Sequence, residues 1–193
     1  YLTTHGASHL ILTGRSGVST DDQRTALQAL ENAGVKIEVF AADVSKAEDV
    51  AQLIAQTSNL RGVVHAAGVL DDGMLMHQSP KRFLKVAGPK VSGAWNLHIQ
   101  TKDLPLDFFV LFSSVASIIG SPGQSNYAAA NAFMDGLAHH RKNHGLVATS
   151  INWGPWSDVG MAASDVVLQR LMKDGWQPMN ASQGCDFIGH LLK

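Results

Sequence analysis

Four side chains in this sequence have the types and spacings needed to act on a carbonyl oxygen. Ser114 follows the apolar run LDFFVLF, and Tyr127 lies thirteen residues further on, near the start of a helical pattern. A serine at a strand end and a tyrosine in the following helix can converge on one carbonyl oxygen, the hydroxyl orienting it and the phenol protonating it. Asn131 is four residues after Tyr127 and projects from the same side of the helix. A phenol with its ordinary pKa of about 10 is a sluggish acid at neutral pH, and a nearby ammonium lowers that value. Lys142 is fifteen residues along the same helix and out of reach. Lys90, in PKVSGAWNLH upstream, is the lysine that can point into the cleft. Singly these residues read as a loop hydroxyl, a half-buried core tyrosine, a polar helix residue and a solvated lysine; their shared placement at strand ends favours catalysis. A nucleophilic serine fares worse, because no G-x-S-x-G elbow surrounds any serine here.

A second group suits a nucleotide. In GRSG, Arg15 and Ser16 supply a cation and a hydroxyl on open backbone, a combination suited to a phosphate on a ribose, which NADPH carries and NADH lacks. The same tetrapeptide also reads as a surface turn. Asp43 can accept from an adenine amino group or cap the next helix. Ala66, Ala67 and Gly68, in HAAG, mark a backbone that something approaches closely, either a ribose or a neighbouring helix.

The elements that position these residues alternate short β-rich runs with longer helical patterns, the signature of a parallel sheet covered by helices. Strands are expected at His9 to Thr13, Val35 to Ala41, Arg61 to Ala66, Leu106 to Phe112 and Ala148 to Trp153. Helices are expected at Thr20 to Ala33, Lys46 to Gln56, Ser79 to Gln100 with a break near Gly88 and Pro89, Ser125 to Asn143, Ser164 to Asp174 and Ser182 to Leu192. Runs such as LILT, GVVHAA and FFVLF are almost continuously apolar, as strands covered on both faces require. Ligands of such sheets bind beyond the carboxyl ends of the strands, where the polar groups above fall.

Composition narrows the function. With 193 residues, 45% hydrophobic and 16% charged, the chain reads as one domain able to bury a core. A net charge of -1 without a Lys/Arg run argues against nucleic acid as a partner. No apolar stretch reaches the length of a membrane span, so no membrane partner is expected. Cys185 is alone, which excludes an intramolecular disulfide and fits a reducing, cytoplasmic setting. The nine histidines are scattered and the adjacent pair, His139 and His140, points to different helix faces, so no metal site is expected.

HAAGVLDDG, the lysine of PKVSGAWNLH, FSSVAS followed by GQSNYAAANAF, and INWGPWSDVGM together resemble the ketoreductase domains of modular polyketide synthases and related fatty acid synthases, within the short-chain dehydrogenase/reductase superfamily. The resemblance runs over essentially the whole chain. In the wider superfamily a lysine follows the tyrosine by four residues, whereas the synthase ketoreductases have asparagine there and bring the lysine from the preceding helix. Tyr127, Asn131 and Lys90 match that second pattern. The resemblance implies a Rossmann-like, doubly wound parallel sheet flanked by helices. It implies that Tyr127 protonates the developing alkoxide, Ser114 hydrogen-bonds the same oxygen, Lys90 binds the nicotinamide ribose and lowers the Tyr127 pKa, and Asn131 positions a water or relay group. NADPH would be the cofactor, with Arg15 and Ser16 on its 2′-phosphate, Asp43 and Val44 at the adenine, and Ala66, Ala67 and Gly68 at the adjoining ribose. Trp153, Gly154, Pro155, Trp156 and Met161 would belong to a wall and lid over nicotinamide and substrate. The partner would be an acyl carrier protein bearing a β-ketoacyl chain on its phosphopantetheine arm, alongside other synthase domains. Leu70, Asp71 and Asp72 match the LDD motif of B-type ketoreductases, and Ile119 stands where the opposite type has tryptophan, which implies a D-configured β-hydroxyl product.

The family opens this fold with a strand, a glycine-rich turn and a helix, where a pyrophosphate rests on backbone N–H groups. This sequence contains no G-x-G. The expected fold therefore lacks the first βα unit, whose strand would sit between those beginning near His9 and Arg61, and it lacks the last strand. From this the chain is expected to be an incomplete ketoreductase domain, a piece of a larger synthase that is not active by itself. Two other readings remain at this point: a reductase-derived scaffold or interaction module, and a free-standing carbonyl reductase acting on small ketones.

Overall fold

The computed structural model describes residues 1–160, 165–173 and 175–192. All five expected strands form: β1 (His9–Gly14), β2 (Lys36–Ala41), β3 (Gly62–His65), β4 (Phe108–Ser114) and β5 (Thr149–Trp153). Every pairing is parallel, with β1 on β2 and β4 between β3 and β5. The strands do not make one sheet. A two-stranded piece and a three-stranded piece are separate, and the break falls between β1 and β3, where the sequence resemblance puts a further strand. Exposed apolar side chains mark the division: Leu12 on β1, Val39 on β2 and Val64 on β3 all lie open, although strands this apolar are built to be covered.

Helices α1 (Asp21–Asn32), α2 (Ala47–Ala55), α3 (Pro80–Ala87), α4 (Gly93–Thr101), α5 (Ala116–Ile119), α6 (Ser125–Asn143), α7 (Asp165–Lys173) and α8 (Ala181–Leu191) connect and cover the strands. Helix α1 starts at Thr20, whose side chain accepts from the Gln23 N–H while the Gln23 side chain accepts from the Thr20 N–H, a reciprocal cap that satisfies two otherwise free donors. Ser79 caps α3 with Pro80 at its first position, where a missing N–H costs nothing. The expected break near Gly88 and Pro89 is a π-helical turn, Gly88–Ser92, that joins α3 to α4. The short helix α5 was not expected, because four residues give periodicity too little length to register.

The main core lies between β3–β4 and helices α2, α4 and α6, with Val50, Val63, Leu97, Phe109, Leu111 and Met134 at its centre. A second cluster on the other face gathers Val110, Ile151 and Trp153 against Trp156, Met179 and Ile188. Arg141 locks the far end of α6 into place. It is 1% exposed, donates to the Val147 carbonyl at 3.0 Å and pairs with His98 Nδ1 at 3.0 Å. Its guanidinium lies 3.9 Å from the centre of the Phe109 ring, a stacking geometry that suits this planar cation. Burial and the adjacent guanidinium push His98 down to about 4, so it is neutral and Nδ1 is the acceptor.

Helix α4 meets the end of β2 through a glycine. A Cβ on Gly93 would sit 2.8 Å from Val44 Cγ2 and 3.3 Å from His65 Cε1. Gly93→Ala is therefore expected to push α4 outward and to destabilise the fold by about 1–3 kcal/mol. Denaturant unfolding reads this directly, and an unchanged midpoint would contradict the packing.

Candidate active site

Lys90 is delivered by the π-helical turn. The wider turn and the missing N–H of Pro89 take this segment out of the regular α-helical ladder, and the Pro89 carbonyl is met by His65 Nε2 at 2.9 Å. His65 is buried at the end of β3 and held down to about 4, first by burial and then by the Lys90 charge. It is thus a neutral imidazole donating Nε2–H to that carbonyl. Lys90 itself is 3% exposed. Its Nζ donates to the Phe112 carbonyl of β4 at 3.0 Å and lies 5.4 Å from the centre of the Tyr127 ring. Burial lowers Lys90 to about 8, opposed by the charge of Asp135.

Tyr127 and Asn131 share one face of α6 as their spacing requires. Asn131 is fully buried and donates to the Tyr127 carbonyl at 2.8 Å. Its Oδ1 is buried without a partner among the described residues, a placement that calls for a donor such as a water. Asn126 sets the start of the helix: its Oδ1 accepts from the Tyr127 N–H and its Nδ2 donates to the Asp71 carbonyl, both at 2.8 Å. Ser114 ends β4, and its Oγ accepts from the Ala116 N–H at 3.2 Å, which leaves the hydroxyl proton to donate elsewhere. The expected lowering of the Tyr127 pKa does not occur in this arrangement. Burial raises it, with Ser114 and Asn131 acting in the opposite sense and the Asp72 charge adding to the rise. Desolvation of the phenolate is the largest effect on this group and outweighs its hydrogen bonds.

The LDD loop is stapled to the segment before Tyr127. Gly73 N–H donates to the Gly123 carbonyl at 2.8 Å, and Gln124 Nε2 donates to Asp72 at 2.9 Å. Gly123 has φ of +78°, a left-handed conformation that favours glycine in this close approach. Asp71 is paired with Arg82 at 2.7 Å and Lys85 at 3.0 Å, and hydrogen bonding to these cations, Lys85 first, holds its carboxyl below the usual range. Leu70, half-buried, precedes the pair. The loop therefore borders the phenol, but Asp71 is occupied as a structural anchor.

The nucleotide candidates sit at the ends of β1, β2 and β3. Arg15 and Ser16 are exposed just after β1. Asp43 accepts from Ser45 N–H at 3.0 Å and Ser45 Oγ at 2.7 Å. These bonds first, with the Arg15 and Lys46 charges, lower its pKa against burial, so Asp43 organises a turn. Val44 has its side chain in the main core and its carbonyl taken by Asn96 Nδ2 at 3.0 Å. Ala66 is exposed and Ala67 and Gly68 are half-buried beyond β3. Trp153 is 6% exposed and packs on Phe112, Trp156 and Phe187, because strand alternation turns it to the α8 face, away from the face that Asn152 shares with α6. Trp156 packs in the same cluster, and the segment holding Gly154 and Pro155 is tied to Met179 by two backbone hydrogen bonds of 2.9 Å. Met161 lies outside the described residues.

Sequence reading missed the polar network behind the site. Asp135 accepts from Ser150 Oγ at 2.5 Å, Ser117 Oγ at 2.6 Å and Asn152 Nδ2 at 2.9 Å. Asn152 also reaches Ser113 Oγ at 3.3 Å, and Ser113 donates to the Asn131 carbonyl at 3.2 Å. The signal was present: Asp135 follows Tyr127 and Asn131 at the same four-residue step.

An α/β fold with a serine, a tyrosine and a lysine converging at the strand ends defines a reductase of the short-chain dehydrogenase/reductase type. The chain belongs to the KR domain family, whose pattern matches residues 1–158. Its relatives are polyketide synthases: Pks15/1, a phenolphthiocerol synthesis synthase of Mycobacterium marinum, is 42% identical over 99% of this chain and 9% of its own length. GfsB of Streptomyces halstedii is 43% identical over 93% of this chain and 3% of its own length. Pks1 of Mycobacterium tuberculosis, 44% identical over 97% of the chain and 12% of its own length, is named as inactive. The chain thus spans a small part of each. Among solved structures, the A-type ketoreductases of a modular polyketide synthase align with a TM-score of 0.94 at 38% identity, covering 99% of this chain and 41% of theirs. The first ketoreductase of the tylosin synthase aligns with a TM-score of 0.86 at 39% identity, covering 97% of this chain and 41% of its own.

Proposed function

We propose that this chain carries the catalytic residues for reducing a β-ketoacyl thioester, borne on the phosphopantetheine arm of an acyl carrier protein, to the D-β-hydroxyacyl thioester in polyketide or fatty acid synthesis. The observation that carries the reading is the convergence of a buried lysine, a tyrosine on α6 and a free serine proton at the end of β4. Family membership supports a nicotinamide cofactor, and NADPH is favoured by Arg15, an exposed cation just after β1 suited to a ribose phosphate. When bound, the cofactor supplies hydride to the β-carbon. Lys90, Asn131 and the groups around Arg15 and Asp43 fit such a ligand, and the unpartnered Asn131 Oδ1 fits a water between protein and ribose. The glycine-rich turn that would hold a pyrophosphate is not among these 193 residues.

Ser114 donates to the carbonyl oxygen, fixing its position. Tyr127, kept protonated by its raised pKa, gives its proton to the oxygen as negative charge develops there. Lys90, still a cation at pH 7, faces the tyrosine ring and stabilises that charge. The LDD loop, clamped against the start of α6, favours entry of the acyl chain from one side and hence the D-alcohol. The test is reduction of a β-ketoacyl N-acetylcysteamine thioester by the full-length protein with NADPH, with the product resolved by chiral chromatography. The D-alcohol is expected; an L-alcohol overturns the stereochemical assignment, and NADPH binding without turnover favours an interaction module.

A further inference from the structure

Asp135 is on α6 two steps beyond Tyr127, with Asn131 between them on the same face. Its carboxylate collects Ser117 from α5 and Ser150 and Asn152 from β5, all within 2.9 Å. Ser117 Oγ also lies 2.9 Å from the Ser114 carbonyl, a second acceptor within reach of its single proton, and Asn152 spans Ser113 and Ser117. One carboxylate therefore joins the helix carrying the acid to the turn carrying the orienting serine. It is also the counter-charge felt by Lys90.

We propose that Asp135 is a positioning residue for the reduction, one that fixes the Ser114 turn against α6 through its bonds to Ser117, Ser150 and Asn152 and supplies the counter-charge of the buried Lys90. The inference rests on the thioester-reduction reading above. Among the described residues, the titratable groups that face Lys90 are His65 from β3 and Tyr127 and Asp135 from α6. His65 is neutral with its pKa near 4 and Tyr127 is neutral because its pKa is raised. Asp135, lowered by its hydroxyl and amide donors against the opposing effect of burial, is the group of the three that carries charge at pH 7. A carboxylate with three such donors is also an ordinary way to tie a helix to a strand, and that role alone would leave the ionisation of Lys90 untouched.

Asp135→Asn separates the two. The amide can present its oxygen to Asn152 and Ser117 while its NH2 donates to Ser150, so the tie survives and the charge does not. In the full-length protein the variant is expected to lose kcat by about fivefold near pH 8 with little change in KM, and the alkaline fall in kcat is expected to move down by about one pH unit. The pH dependence of NADPH affinity, read by fluorescence, is expected to shift the same way without turnover. Ser150→Ala removes one hydrogen bond and keeps the charge, so its alkaline limb should stay with the wild type. A folded Asp135→Asn protein with wild-type kcat and an unmoved affinity profile overturns the proposal, as does an equal shift in Ser150→Ala. If the wild type binds NADPH but reduces no thioester, the reduction reading falls, and the affinity profile still decides whether Asp135 sets the Lys90 charge.

Discussion

Replacing Tyr127 with Phe is expected to lower kcat for thioester reduction by about 10³-fold, the scale of losing a positioned general acid. The ring remains, so the packing at the start of α6 and the contact with Lys90, 5.4 Å from the ring centre, are retained. NADPH affinity and the unfolding midpoint should stay near wild type. Because burial holds the Tyr127 pKa above its ordinary value, the phenol is fully protonated across the physiological range, and its ionisation does not set the alkaline limit of activity. That limit is expected to begin near pH 8, where Lys90 loses its proton. A Tyr127→Phe protein that keeps a tenth of the wild-type kcat would assign the proton to another group.

Replacing Lys90 with Met keeps most of the volume and removes the cation, and it is expected to move activity and stability in different directions. Activity should fall by about 10²-fold or more, with weaker NADPH binding, as the charge facing the tyrosine and the ribose is lost. Stability at pH 7 should not fall in proportion, because an ammonium at 3% exposure costs desolvation free energy in the folded state. The direction with pH follows from linkage. The folded-state pKa of about 8 lies below the ordinary value of 10.5, so between these values the unfolded chain binds more protons than the folded one. Wild-type stability from this site therefore rises with pH through that window. Lys90→Met lacks that rise, and unfolding measured near pH 7 and near pH 9.5 checks it. A variant that loses stability along with activity at pH 7, and shows the wild-type pH trend, would make Lys90 a structural residue.

The strands were legible because a parallel sheet covered by helices writes nearly continuous apolar runs, and GVVH and FFVLF sit in β3 and β4 as read. The partners of Tyr127 were legible from its helix step and from the motif that places Lys90 upstream. The burial of the Val44 and Trp153 side chains was not legible, for one reason. Both follow or end strands at the ligand side, but strand alternation and the approach of α4 or α8 turn their side chains into the core. The rise in the Tyr127 pKa was also out of reach, since its sign depends on how far burial outweighs the hydrogen bonds of Ser114 and Asn131, which is a three-dimensional fact.

By itself the sequence determined the α/β class, the order of strands and helices, and the candidate serine, tyrosine, asparagine and lysine. Each of these follows from periodicity, helix spacing or local motif, which are properties of neighbouring residues along the chain. The tertiary structure alone decided that a π-helical turn held by His65 delivers Lys90 and that Asp135 joins α5, α6 and β5 behind the site. Those features depend on contacts between residues far apart in the chain, where burial sets the energy of each charge and no local spacing records which partner will be there.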